Sequence, residues 1–368
     1  MNCWPATAAL GDDSKMPAVA EQKFSLGQPV EIGRIGSALK ALWAQTDAEA
    51  MTRASLMNLA VYSEEPDSLP RNTQVIADVT QSHACRAIVI GSNPDAAENK
   101  VEAWINAHCH VGRTGAKQIC SEQISLMLSG ASVKLLPSIL FAQLDSDLPL
   151  YLWWQGEMPE TIDPQLWRWV DRLIYDSQSW HDIGTQIALV ETAQRETDQR
   201  MVPCDLNWTR IVPFRNAFAQ FFDHPASQHH FSEISEVEIG FADGFCSTAL
   251  LFAGWIAAQL KWSEPVRVDD ELMFNDPNDQ RVKVLLREKS GTSLTDVRVL
   301  SGKVEFSIAR ASCGDLIEVG RGKPGRVVRR QLLPALAENS VSLLSEELMR
   351  GGPHRVYARA VEAVRPLL

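Results

Sequence analysis

The stretch LYLWWQG, residues 150–156, limits what this chain can fold into more than any other. Asp147, Leu148 and Pro149 precede it, and Gly156, Glu157, Met158 and Pro159 close it, so turn-forming residues bound an aromatic and aliphatic run on both sides. That pattern predicts a short buried strand rather than a helix. Side chains alternate across a pleated strand, so the adjacent Trp153 and Trp154 point to opposite faces. Both faces then need cover, which an α/β layer supplies.

The segments before it fit that layer. SLMNLAVYS, within residues 51–63, reads as an opening strand. Residues 72–82 carry Val75, Ile76 and Val79 on one helical face, with Asn72 or Thr73 placed to cap it. CRAIVIGSNP is the next strand and turn, which completes a parallel, right-handed crossover. Gly91 in GSNP belongs to no GxGxxG or GxxxxGK[ST] pattern and serves a turn. VEAWINAHCH and QICSEQISLMLSG lie too close for a parallel crossover, so they pair antiparallel around VGRTGAK. A helix over residues 133–144, a second over 164–171 with Trp167 towards the core, and the strand RLIYDS finish this part. The expectation is an α/β N-terminal domain, residues 51–179, with a mixed sheet covered by helices. Residues 1–50 form an arm and a short amphipathic helix, in which Ile32, Ile35, Leu39, Leu42 and Trp43 share a face.

From His181 onward the periodicity turns helical, in IGTQIALVETAQRE, in WTRIVPFRNAFAQFFDHP and most strongly in CSTALLFAGWIAAQLKW. Residues 235–241 form a strand, and RVKVLLRE, TDVRVLSG and KVEFSIARA alternate as a meander. Helical segments over 332–349 and 356–364 end the chain. Residues 180–368 are therefore expected as an α+β C-terminal domain with an antiparallel sheet.

The formal net charge of -11 comes with no compensating basic block, so neither a nucleic acid duplex nor an anionic membrane is a general partner. The longest apolar run, residues 249–260, is too short to cross a bilayer, and MNCWPATAALGDDSK lacks the pattern of a signal peptide, which points to the cytoplasm. Seven cysteines, odd in number and widely spaced, do not form a secreted disulfide scaffold or a CxxC module. Cys109 sits between His108 and His110, with Cys120 eleven residues on, and a metal site, a structural role and a redox pair are all open to that group.

No HExxH, GxSxG or zinc spacing occurs, so no catalytic set is read from the sequence. GRTGAK reads as a surface turn or an anion contact. PCDLNWTRIVPFR concentrates Asp205, Trp208, Arg210 and Arg215, which suit either an interdomain junction, a protein contact or a small-molecule site. His229 and His230 read as part of a polar loop or as two metal ligands whose partners the sequence leaves open. GRGKPGRVVRR, with Lys323, Arg326, Arg329 and Arg330, reads as a solvated loop or one that binds an acidic protein.

Four fragments in order, ICSEQISLMLSG, DLPLYLWWQGEMP, LIYDSQSW and DLNWTRIVPFR, resemble the glucose-6-phosphate dehydrogenase assembly protein family (OpcA family), particularly its cyanobacterial members. The resemblance runs from about Met51 through the C-terminal domain. It implies a non-catalytic partner, without cofactor, that assembles or allosterically activates a glucose-6-phosphate dehydrogenase oligomer in the oxidative pentose phosphate pathway. The family's characteristic segments fall on Leu150, Trp153, Trp154 and Gly156, and on Asp205, Trp208, Thr209, Arg210 and Arg215. Redox control through Cys109 and Cys120, with thioredoxin as the reducing partner, is the accompanying hypothesis. An independent α/β enzyme and a general scaffold or chaperone are the alternatives.

Overall fold

A computed structural model describes residues 26–44, 51–111, 118–161, 163–223, 225–268, 271–311 and 314–368. The expected arm before Gly27 and most of VGRTGAK lie outside them. The described chain forms two compact units, one reaching to Leu206 and adding Asn339–His354, the other built from Asn207–Glu338 and Arg355–Leu368. No helix among the described residues is long and apolar enough to cross a membrane.

The first unit is α/β, as expected. Its strands are β1 (Gln28–Val30), β2 (Met51–Arg53), β3 (Asn58–Ser63), β4 (Arg86–Asn93), β5 (Lys100–Val111), β6 (Gln118–Ser129), β7 (Leu150–Trp154), β8 (Val170–Tyr175) and β9 (Val202–Asp205). They run in the order β1-β5-β6-β4-β3-β7-β8-β9, with β2 also on β6. β5 is antiparallel to β1 and β6, and the remaining pairings are parallel. NLAVYS and RAIVIG read as nearly unbroken apolar runs because both faces of a parallel sheet are covered.

Helices α1 (Ile35–Ala44), α2 (Ser68–Val79), α3 (Leu136–Phe141), α4 (Pro164–Trp167) and α5 (Ile183–Glu196) connect or cover these strands. In α1, Ile35 and Leu39 are buried as expected, but Ile32 is 40% exposed because a 3-10 turn holds it ahead of the helix. α2 begins four residues before the predicted start, directly after Asp67 in the left-handed region (φ 59). Proline fits a first helical turn, so SLP opens the helix, and Asn72 becomes a buried interior residue rather than a cap. Pro137 likewise starts α3 and divides the predicted 133–144 helix into a 3-10 segment and a short α-helix. α4 ends at Trp167, which is fully buried. The sheet continues past residue 179, through α5 to β9.

The second unit contains α6 (Leu206–Arg210, its first residue belonging to the other unit), α7 (Val212–Gln220), α8 (Cys246–Leu260) and, after α9 (Ser340–Leu348) of the first unit, α10 (Arg355–Val364). Its strands are β10 (Ile234–Phe241), β11 (Ser263–Val268), β12 (Glu271–Asn275), β13 (Arg281–Glu288), β14 (Leu294–Ser301), β15 (Val304–Arg310), β16 (Leu316–Lys323) and β17 (Arg326–Pro334), in the order β11-β12-β13-β10-β14-β15-β16-β17. All pairings are antiparallel except β10 with β13, which interrupts the meander predicted for residues 281–311. Val282, Val284, Val297, Val299, Phe306 and Ile308 are buried on one face by the strand alternation. α8 packs against α10 so closely that a Cβ on Gly254 would lie 2.4 Å from the Ala360 carbonyl oxygen. Residues 332–334, read as the start of a helix, belong instead to β17.

Candidate functional site

The parallel strands β6-β4-β3-β7-β8-β9 follow the order of a doubly wound dinucleotide-binding sheet, with the topological switch between β3 and β7. Ligands in such sheets bind outside the carboxyl ends of the strands at that switch, with a pyrophosphate on the glycine-rich turn that opens the first helix. Here the corresponding turn, from β3 to α2, is Glu64-Glu65-Pro66-Asp67. Three carboxylates stand where backbone N–H groups would meet an anion, and repel one. Arg71 pairs with Glu65 at 2.5 Å and neutralises only part of that charge.

The crevice is also occupied by the chain's own side chains. Trp154, at the end of β7, stacks on Tyr62 of β3 with ring centroids 4.2 Å apart, and Trp167 packs against it at 5.6 Å. The Trp154 Nε1 donates to the Glu157 carbonyl at 2.8 Å. The Tyr62 hydroxyl donates to Glu64 Oε1 at 2.6 Å, and burial together with that bond holds the phenol protonated well above its usual range. Asn72 of α2 and Gln155 exchange two hydrogen bonds of 2.9 Å across the same gap. A cleft of about 370 Å³ in this unit opens instead at the amino ends of β7 and β8, among Phe141, Leu148, Arg168, Trp169 and Arg200.

The LYLWW motif is thus a packing element. Leu150, Trp153 and Trp154 are buried, and Gly156, with φ 89, turns the chain so that its carbonyl accepts from Trp180 Nε1 at 3.0 Å. The sequence shows the aromatic run, but the filling of the crevice depends on Tyr62, Asn72 and the EEPD turn, which sequence reading passed over as an ordinary turn-rich connection. Its one legible signal was acid where a phosphate-binding turn carries glycine.

The PCDLNWTRIVPFR residues span the end of β9 and the helices α6 and α7. Asp205 ends β9, fully buried, and accepts from the Ser177 backbone N–H (3.1 Å) and hydroxyl (2.7 Å). Arg210, also buried, donates to Asn207 Oδ1 at 3.0 Å, which in turn accepts from Thr248 Oγ1 at 2.6 Å. Thr209 is buried beside them. Arg215 lies 3.6 Å from the centre of the Trp208 ring, and the ring itself packs on Tyr357 at 5.5 Å. Desolvated partners of this kind support the local fold, and Arg210 is itself buried.

The basic segment differs most from its reading as a loop. It forms the hairpin of β16 and β17, with Lys323 opposite Arg326 and Pro324-Gly325 at the tip. Proline followed by glycine at φ 74 suits a type II turn. β17 is the last strand of its sheet, and Lys323, Arg326, Arg329 and Arg330 are all exposed. Val328 and Leu332 are 69% and 57% exposed on the same strand. Arg330 reaches Glu318 at 3.2 Å on the surface. An edge strand with exposed backbone, cations and aliphatic side chains can accept another strand or an acidic segment.

His230 is buried between Ser301 and Arg321, and the His229 ring lies tilted against it with centroids 4.0 Å apart. His229, His230 and Glu233 bring ligand atoms within 4.8 Å of one another, with His229 and Glu233 exposed. Cys109 and Cys120 face each other across β5 and β6 and are joined as a disulfide. This removes both sulfurs from the metal reading, while His108 turns to Gln123 at 2.8 Å. Cys109 is exposed and Cys120 buried. The Cys85 thiol is pushed up to about 12 by burial alone.

Residues 76–192 match the family model described as glucose-6-phosphate dehydrogenase subunit N-terminal domain, and residues 203–361 match the corresponding C-terminal domain. The chain is similar to an OxPP cycle protein OpcA of Synechocystis sp., at 26% identity over 353 residues, covering 88% of this chain and 72% of the relative. Proteins of the same name from Nostoc punctiforme and Synechococcus elongatus are 24% and 25% identical, covering 78% and 73% of this chain. The chain spans 66% and 64% of the length of those two relatives. Among solved structures, levoglucosan dehydrogenase in complex with NADH and L-sorbose is 10% identical with a TM-score of 0.42, covering 85% of this chain and 91% of the other. That likeness says nothing about chemistry. Both domains of one family pattern occur in order along this chain, which belongs to the glucose-6-phosphate dehydrogenase assembly protein (OpcA) family.

Proposed function

We propose that this chain is a non-catalytic partner that assembles and allosterically activates glucose-6-phosphate dehydrogenase, supporting the oxidative pentose phosphate pathway in the cytoplasm. The family models name the enzyme and the relatives' names supply the pathway. The observation that carries the non-catalytic part is the crevice at the β3–β7 switch, filled by Trp154 on Tyr62 and bordered by Glu64, Glu65 and Asp67. NADP and glucose 6-phosphate then bind to the dehydrogenase, not to this chain.

Activation by such a partner is a population shift. The dehydrogenase is drawn towards whichever of its forms this chain binds more tightly. A difference of about 1.4 kcal/mol in that binding changes the population ratio tenfold. The exposed edge of β17, with Arg326, Arg329 and Arg330, is the surface we assign to an acidic segment of the enzyme. The Cys109–Cys120 disulfide, with its exposed Cys109, is the element we assign to thioredoxin.

Purified chain is expected to reduce no NADP by itself and to lower the apparent KM of the dehydrogenase for glucose 6-phosphate when the two co-elute on size exclusion. Turnover by the isolated chain, or failure of the folded chain to associate in either redox state, overturns the proposal. Association with unchanged kinetics leaves a tethering or chaperone role and rejects activation. Equal binding before and after thiol reduction rejects the redox assignment alone.

A further inference from the structure

Three ligating side chains of different kinds meet inside the first unit. Cys204 lies on β9, Glu347 in the last turn of α9 and His354 in the segment that follows. The thiol sulfur, a carboxylate oxygen and an imidazole nitrogen all lie within 4.8 Å of one another. Cys204 is fully buried, and the Glu347 and His354 side chains are only 1% and 9% exposed.

The local sequence explains how they converge. α9 delivers Glu347 towards the sheet, and Gly351, Gly352 (φ 73) and Pro353 then turn the chain back. His354 returns beside the helix end, with Nε2 3.2 Å from Glu347 Oε1. Arg172 of β8 fixes this turn by donating to the Gly352 carbonyl at 3.0 Å, and its other nitrogen lies 3.4 Å from the Cys204 sulfur. The guanidinium groups of Arg172 and Arg350 each lie 3.9 Å from a Glu347 oxygen.

We propose that Cys204, Glu347 and His354 bind one zinc ion, with the fourth position left to water or to an incoming ligand. Thiolate, imidazole and carboxylate together make a donor set for a borderline-soft ion, whereas magnesium and calcium take oxygen alone. Two ligands about 2.1 Å from a tetrahedral ion stand about 3.4 Å apart, close to the Glu347–His354 separation of 3.2 Å. The Cys204 sulfur lies within 4.8 Å of both. Coordination deprotonates the thiol, so the ion's two charges are met by a thiolate and a carboxylate. Arg172 then supports the site from outside, orienting the sulfur and the Gly352 turn. The ion clamps α9 to β9, and this role is independent of the function proposed above.

The test uses the full chain, stripped of metal with a chelator, kept reduced and titrated with cobalt(II) as a spectroscopic probe. The expected result is one cobalt per chain with a thiolate-to-cobalt charge-transfer band that added zinc displaces. Cys204→Ser is expected to abolish the band, and His354→Ala, nearer the surface, to weaken cobalt binding by at least about tenfold. Circular dichroism establishes that each variant is folded. Absence of stoichiometric uptake by the unaltered chain overturns the proposal whatever the variants do. A band that persists in folded Cys204→Ser assigns the metal to another thiol and overturns it equally.

Discussion

Glu122 shows how much one buried charge can organise. It sits on β6 and accepts from Arg86 at 2.7 Å, Arg53 at 3.0 Å and Trp43 Nε1 at 2.5 Å. β4, β2 and α1 therefore converge on one carboxylate that is 1% exposed. Arg53 is half exposed and contributes little through solvent-screened attraction. Arg86, 13% exposed, is the partner that matters. Glu122→Ala leaves that guanidinium buried without its carboxylate and is expected to cost about 3–5 kcal/mol, whereas Glu122→Gln retains an acceptor and costs about 1–3 kcal/mol. Urea unfolding of the two variants checks the ranking, and equal losses would mean that volume, not charge, is what Glu122 provides. None of this was legible in SEQISLMLS, because a charged residue in an alternating strand reads as a solvent-facing position until the covering elements are known.

Elements were easier to read where their burial is uniform. β3, β4, β7, α5 and α8 follow from apolar runs whose period survives in sequence alone. β17 was lost because RVVRRQLLP mixes cations and aliphatics on both faces, the composition of an exposed edge that also describes a loop. β9 was lost because it is four residues long and contains Pro203, which an edge strand tolerates. The paired strands β5 and β6 were found, but the Cys109–Cys120 bond became one of three readings only because register was unknown. Closing a loop of this size removes chain entropy from the unfolded state worth about 3 kcal/mol or less. Reduction, or Cys109→Ser, is expected to lower the Tm relative to the disulfide-bonded chain while far-ultraviolet circular dichroism at room temperature stays unchanged, since the ladder itself spans both strands. Loss of strand signal on reduction would show that the hairpin depends on the bond for its existence.

At the scale of the whole molecule, the strand order decided what the sequence could not. Tyr62 and Trp154 stack only because β7 returns to lie beside β3, a pairing between distant segments that no local pattern encodes. The absence of a phosphate-binding fingerprint was readable, but the filled crevice was not. Folding also couples the molecule to pH through histidines taken from water. Burial lowers the pKa of His83 and His108 against the opposing effects of the Ser345 backbone and of Gln123 and Asp78. Between the depressed folded value and the ordinary value near 6.5, the unfolded chain holds more protons than the folded one. Stability therefore rises with pH through that window, is complete above it, and declines as pH falls below about 6.5. The expected outcome is a urea midpoint that drops on acidification from pH 7 towards pH 5.5, with a shallower drop in His108→Gln, whose side chain does not titrate. A midpoint that is flat or increases over this interval, or an identical slope in the variant, would show that His108 does not carry the dependence.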